Sequence, residues 1–205
     1  MIYETSLIQK IGAAGVERLR AVKVGIAGAG GLGSNCALNL VRCGFLRLKL
    51  VDFDAVEASN LDRQFYFADQ VGMAKVDALK INLLRINPGL DVEALTVRIG
   101  EGDGANIFGD CDIVAECLDR AEAKSQLVSE LLPLGRLIVA ASGLGGYGET
   151  DQIKVRRIRD NLVIVGDLTS DITDHPALSP RVSITAAKQA DVILEYVLTS
   201  LVQQQ

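Results

Sequence analysis

Two periodicities divide the chain. Short apolar runs at 22–27 (VKVGIA), 46–51 (LRLKLV), 92–99, 113–117 and 137–141 predict strands. Between them, apolar positions return every three or four residues over 32–43, 74–86 and 121–132 and predict helices. Gly44, then Asn87-Pro88-Gly89, then Pro133 with Gly135 stop these helices in turn. Upstream, Leu7, Ile8, Ile11, Val16 and Leu19 share one helix over 4–20, broken near Gly12 and Gly15. Strand–helix alternation of this kind makes a parallel sheet covered by helices on both faces, and right-handed crossovers make it doubly wound. After Gly143 the pattern changes. Segments 152–158 and 162–165 read as a hairpin around Arg159-Asp160-Asn161, adding antiparallel strands to the sheet. Residues 166–181 read as loop, and 184–201 as a closing helix. The long polar stretch 53–72 belongs to neither period, and such segments tend to carry function.

Composition narrows the class. Hydrophobic residues make up 49% of 205, enough for a real core, and this excludes disorder. One domain over 1–205 is expected, with a core at 1–142 and an extension at 143–205. No charge-free apolar run approaches about 18 residues, so no membrane span is expected. The opening MIYETSLIQK has no signal pattern, which implies a cytoplasmic location. A net charge of −5, an aromatic fraction of 4% and the absence of Trp argue against a nucleic-acid partner. Cys36 and Cys43 are seven apart, Cys111 and Cys117 six apart, and the one histidine is His175. No pair has zinc-ligand spacing, so no structural zinc is expected and the thiols read as small apolar fillers.

The glycines cluster. Gly28-Ala29-Gly30-Gly31-Leu32-Gly33 fits G-x-G-x-x-G between a predicted strand and a predicted helix, the context of a Rossmann-like phosphate loop. Such glycines permit a tight turn and close backbone approach, and the helix start offers free N–H groups to phosphate. Ser34 would add a hydroxyl in the first turn. Asp52 closes the second strand, 24 residues after Gly28, placed for ribose hydroxyls. Loop and acid alone serve NAD, FAD or ATP equally.

The residues beyond Asp52 separate these. Asn60, Arg63 and, 12 residues later, Lys75 form a set suited to phosphates, with Arg as a planar fork and Lys as a compact charge. The segments GAGGLGS (28–34), VDFDAVEASNLDRQ (51–64), Gly72 with Lys75, RINP (85–88) and Cys117-Leu118-Asp119 together resemble the ThiF/MoeB branch of the ubiquitin-activating-enzyme superfamily. The likeness extends more weakly to 140–146 and the C-terminal helix, and is nearest to a compact ThiF type. It implies ATP-dependent adenylylation of the C-terminal glycine of a ubiquitin-like sulfur carrier ending in Gly-Gly, of the ThiS type in thiamine biosynthesis. Carried onto this chain, Gly28, Gly30, Gly31 and Gly33 form the loop and Asp52 takes the ribose. Asn60, Arg63 and Lys75 hold the phosphates, and Asp119 supports Mg²⁺. Arg63, Lys75 and Asp119 are the catalytic set.

The resemblance also implies a homodimer in which a basic residue of the N-terminal segment reaches the partner's ATP. MIYETSLIQK has no arginine, which leaves Lys10, Arg18 or Arg20 for that role. Relatives of the thiamine type often carry a thioester- or persulfide-forming cysteine in a crossover loop. Residues 166–181 have none, so adenylation without a covalent thioester step is expected. The alternatives are a MoeB-like activator of a molybdopterin-type carrier, an NAD-dependent oxidoreductase and a non-catalytic carrier-binding scaffold. A related branch acting on a tRNA nucleoside is disfavoured by the acidic charge.

Overall fold

A computed structural model describes residues 4–171 and 174–199. Its centre is a seven-stranded sheet. The strands are β1 (Lys23–Ala27), β2 (Arg47–Val51), β3 (Asp91–Leu95), β4 (Ile113–Glu116), β5 (Leu137–Ala141), β6 (Lys154–Arg159) and β7 (Leu162–Gly166). Their order is β3-β2-β1-β4-β5-β7-β6. The helices are α1 (Glu4–Ala21), α2 (Gly31–Cys43), α3 (Lys75–Ile86), α4 (Gly104–Phe108), α5 (Ala121–Leu131) and α6 (Ser179–Thr199). The predicted α/β sheet is therefore present, with two corrections. Strand β7 pairs parallel with β5, so β6 alone runs antiparallel. The predicted strand over 92–99 stops at Leu95, because β2, its neighbour, ends at Val51 and leaves nothing further to pair with.

The pleat divides the core. Val24 and Ile26 of β1 face a layer with Leu19, Leu40, Leu79 and Ile193 from α1, α2, α3 and α6. Ala27, Val51 and Val114 face the opposite layer with Phe108 of α4 and Leu127 and Leu131 of α5. Gly25, in the middle of β1, is required by that second layer, since a Cβ there would lie 2.6 Å from the Phe108 ring. Helix α4 was not anticipated; its single turn is too short to show a period. Helix α1 breaks at Gly12 only (φ 76°, ψ 159°), and Gly15 is helical and buried. Helix α6 begins at Ser179, five residues before the predicted start. No helix among the described residues is long and apolar enough to cross a membrane.

The strand order reverses between β1 and β4. The C-terminal ends of two strands that diverge in this way leave a crevice between their following loops. Here those loops are 28–30, after β1, and 117–120, after β4.

Candidate active site

That crevice opens into a cleft of about 830 Å³. Gly28, Gly30, Gly31, Asp52, Asn60, Arg63, Lys75 and Asp119 all line it. Gly33, predicted with them, does not. A Cβ at Gly33 would overlap the Gly28 carbonyl oxygen and crowd Ile26, so its part is to let α2 start against β1. Ser34 is also corrected. It is fully buried, and its hydroxyl accepts the Phe65 N–H at 3.0 Å. Asn35 donates to the Gly31 and Arg63 carbonyls at 2.7 and 3.0 Å. The first turn of α2 thus grips segment 63–65 and brings it beside the glycine loop.

Helix α2 begins at Gly31, so its leading N–H groups lack intrahelical partners and lie at the cleft wall. Asp52 accepts the Ala29 N–H at 2.7 Å and the Asp54 N–H at 2.8 Å, one on each carboxylate oxygen. Each oxygen keeps a free lone pair for a further donor. The Tyr66 hydroxyl donates to the Ala29 carbonyl at 2.6 Å, closing the loop from beneath; burial first, and the nearby Asp52 charge second, push its pKa up.

Segment 53–72 is held in a defined shape by pairing with itself. Val56 N–H bonds Met73 O and Gly72 N–H bonds Val56 O, both at 2.8 Å. Buried Asn60 accepts the Glu57 N–H at 3.1 Å, shaping a 3₁₀ turn. Arg63 donates to the Ser59 carbonyl (3.0 Å) and pairs with Asp62 (2.7 Å). Lys75, the first residue of α3, is buried and pairs with Asp54 at 2.8 Å. Asp54 therefore neutralises Lys75, a partnership that the sequence alone does not mark. The nearest hint is the place of Asp54 just past a strand end, where the chain turns back over the cleft.

Asp119 differs from these. It is exposed on the cleft wall and has no hydrogen-bond or ion-pair partner among the described residues. Behind it, Glu116 is fully buried; burial raises its pKa, and the adjacent Lys124 ammonium opposes that rise. Among the described residues no group of three or more His, Cys, Asp or Glu could hold a metal ion. A divalent ion here would rest on one protein carboxylate plus phosphate oxygens and water. That donor set suits Mg²⁺, which keeps several waters.

At the other end of the cleft Phe53, Val97, Ile99 and Leu118 make an apolar wall, and the Arg98 guanidinium stacks 3.7 Å from the Phe53 ring centre. Cys117 lines the cleft, but burial drives its pKa well up, and its thiol meets the Gln189 side-chain oxygen at 3.7 Å. Burial likewise pushes Cys36 and Cys111 up to about 12. Lys10, Arg18 and Arg20 do not line the cleft of their own chain. Arg18 donates to the Leu198 carbonyl and Arg20 pairs with Glu4 and Glu17.

Known proteins share this fold and parts of this sequence. A sequence model of the ThiF family matches residues 3–197. The chain is 38% identical over 139 residues to the adenylyltransferase and sulfurtransferase UBA4 of Candida glabrata, covering 67% of this chain and 32% of that protein. It is 40% identical over 114 residues to the molybdopterin-synthase adenylyltransferase of Haemophilus influenzae, covering 55% and 47%. The chain thus spans about a third to a half of the length of these relatives. In three dimensions it is similar to the E. coli tRNA N6-threonylcarbamoyladenosine dehydratase TcdA, solved in complex with AMP. The TM-score is 0.89 at 19% identity, over 98% of this chain and 95% of that one.

Proposed function

The chain belongs to the ThiF family, and from that premise we propose that it binds ATP and adenylylates the C-terminal carboxylate of a ubiquitin-like sulfur carrier ending in Gly-Gly. The observation that carries this reading is the convergence of loop, ribose acid, paired cations and unpartnered Asp119 on one cleft. In this reading the base lies on the Phe53–Val97–Ile99 wall and the ribose hydroxyls bond Asp52. The phosphates meet the α2 start, Asn60, Arg63 and Lys75. Entry of a triphosphate replaces Asp54 and Asp62 as the counter-charges of Lys75 and Arg63.

The chemistry needs no general base. A C-terminal carboxylate, with a pKa of about 3.5, is already ionised at neutral pH. One of its oxygens attacks the α-phosphorus, the bond from that phosphorus to the bridging oxygen breaks, and pyrophosphate leaves with the electron pair. The obstacles are anion repulsion and leaving-group charge, which Arg63 and Lys75 relieve by fixed electrostatics. Mg²⁺, held by Asp119 and phosphate oxygens, would supply further charge neutralisation. Within this class we read the carrier as the ThiS type of thiamine biosynthesis, on the nearer likeness of the chain to a compact ThiF type. The absence of cysteine from 166–181, together with the high pKa of Cys117, supports a reaction that stops at the adenylate. A homodimer belongs to the same reading.

ATP–pyrophosphate exchange tests it. Exchange is expected to require a carrier with an intact Gly-Gly end and to fall on the order of 100-fold in Lys75→Ala and Asp119→Ala. A molybdopterin-type carrier that supports exchange where a ThiS type does not would reassign the partner. Tight NADH binding without ATP binding, or exchange indifferent to every carrier, would overturn the proposal.

A further inference from the structure

A buried charge beneath the cleft has no part in that chemistry. Glu116 ends β4 and is fully buried. A carboxylate in such a place is tolerated only when paired and bonded. Its Oε1 accepts the Leu118 N–H at 2.7 Å, and Lys124 Nζ lies 3.0 Å from Oε1 and 2.9 Å from Oε2. Lys124, in the first turn of α5, also donates to the Leu118 carbonyl at 2.6 Å. Both backbone polar groups of Leu118 are therefore held by the two halves of one ion pair. The next residue is Asp119, whose own side chain nothing in the described chain restrains.

We propose that Glu116 and Lys124 are positioning residues: their ion pair clamps Leu118 and so presents the Asp119 carboxylate to the divalent ion of a bound metal–nucleotide. This rests on the ATP-binding reading above. Stability alone is a poor reason for the pair, because apolar side chains of similar volume do as well in a core. An apolar pair, however, could not hold the N–H and C=O of Leu118 at once. The effect is that of a partner standing behind a metal ligand, whose loss weakens metal binding about 10-fold or more.

The test is binding of a fluorescent ATP analogue to the full chain, with and without Mg²⁺. The variants are Glu116→Gln, Lys124→Met, Asp119→Asn and each clamp change combined with Asp119→Asn. Each clamp variant is expected to keep metal-free affinity within about twofold and to lose about 10-fold of the Mg²⁺-dependent gain. On the Asp119→Asn background the same changes should add nothing, because the clamp acts through that residue. Losses that add in full to Asp119→Asn, or that are equal with and without metal, overturn the clamp. Where Glu116→Gln or Lys124→Met fails to fold, Glu116→Asp, which keeps the charge but draws the carboxylate back from the Leu118 N–H, carries the same cycle and is judged by the same outcomes. A parent chain that binds no ATP overturns the nucleotide reading and the clamp with it. A parent with a Mg²⁺ gain but additive losses overturns the clamp alone.

Discussion

Gly28 and Gly33 belong to one motif but answer different demands. Gly28 sits at φ 94°, with the Cys117 carbonyl 2.8 Å from where a Cβ would be, so it brings the β1 and β4 ends together over the cleft. Gly33 touches no cleft surface and serves only the contact of α2 with β1. Gly33→Ala is accordingly expected to lower stability by about 2 kcal/mol through overpacking, measured by urea unfolding. ATP affinity should change only as far as the α2 start is displaced. The spacing of the loop was legible in the sequence, whereas the division of labour within it depends on contacts between distant segments. The same holds for Lys75 and Asp54, and for Glu116 and Lys124. Each partner is an ordinary charged residue until the fold brings the two together, and no local period marks the meeting.

Most elements were legible because their stop signals are chemical. Helix α2 ends at Gly44, whose φ of 109° lets its N–H cap the Leu40 and Val41 carbonyls. A Cβ there would also come 2.8 Å from the Leu7 side chain of α1. Gly44→Ala should cost about 1–2 kcal/mol in urea unfolding while leaving nucleotide affinity within about twofold, since Gly44 is not a cleft residue. Element limits were less legible where partners decide them. The apolar run over 92–99 continues past the strand because Val97 and Ile99 serve the cleft wall after pairing with β2 has ended. The parallel docking of β7 on β5 was not legible for a related reason. A hairpin fixes the relation of β6 to β7 but says nothing about which way the pair docks on β5.

Across the whole molecule, segment 166–171 is tied to the start of α6 by one buried ion pair, Asp167 with Arg181. Burial alone would raise the Asp167 pKa. The Ser170 and Thr169 N–H groups, the Ser170 hydroxyl and Arg181 outweigh it and hold the carboxyl well below the usual range. A depressed folded pKa gives stability that is complete above the unfolded value of about 3.9 and is lost as pH falls toward the folded one. Asp167→Asn should therefore cost about 3 kcal/mol at neutral pH and flatten the acid limb of the stability curve below about pH 4, read by urea unfolding across pH. None of this was legible, because 166–171 has no periodicity and its order comes from the bonds of Asp167 to Thr169, Ser170 and the α6 residue Arg181. The far edge of the sheet has a different consequence. Strand β6 is open on one side and carries Lys154, Arg156, Arg157 and Arg159 in six residues. Two copies meeting there antiparallel would set Lys154 against Arg159 and Arg156 against Arg157, like charges on the outer and central rungs, which is how an edge strand repels its own kind. Continuation of the sheet from one copy to another through β6 is thus penalised by the strand's own charge.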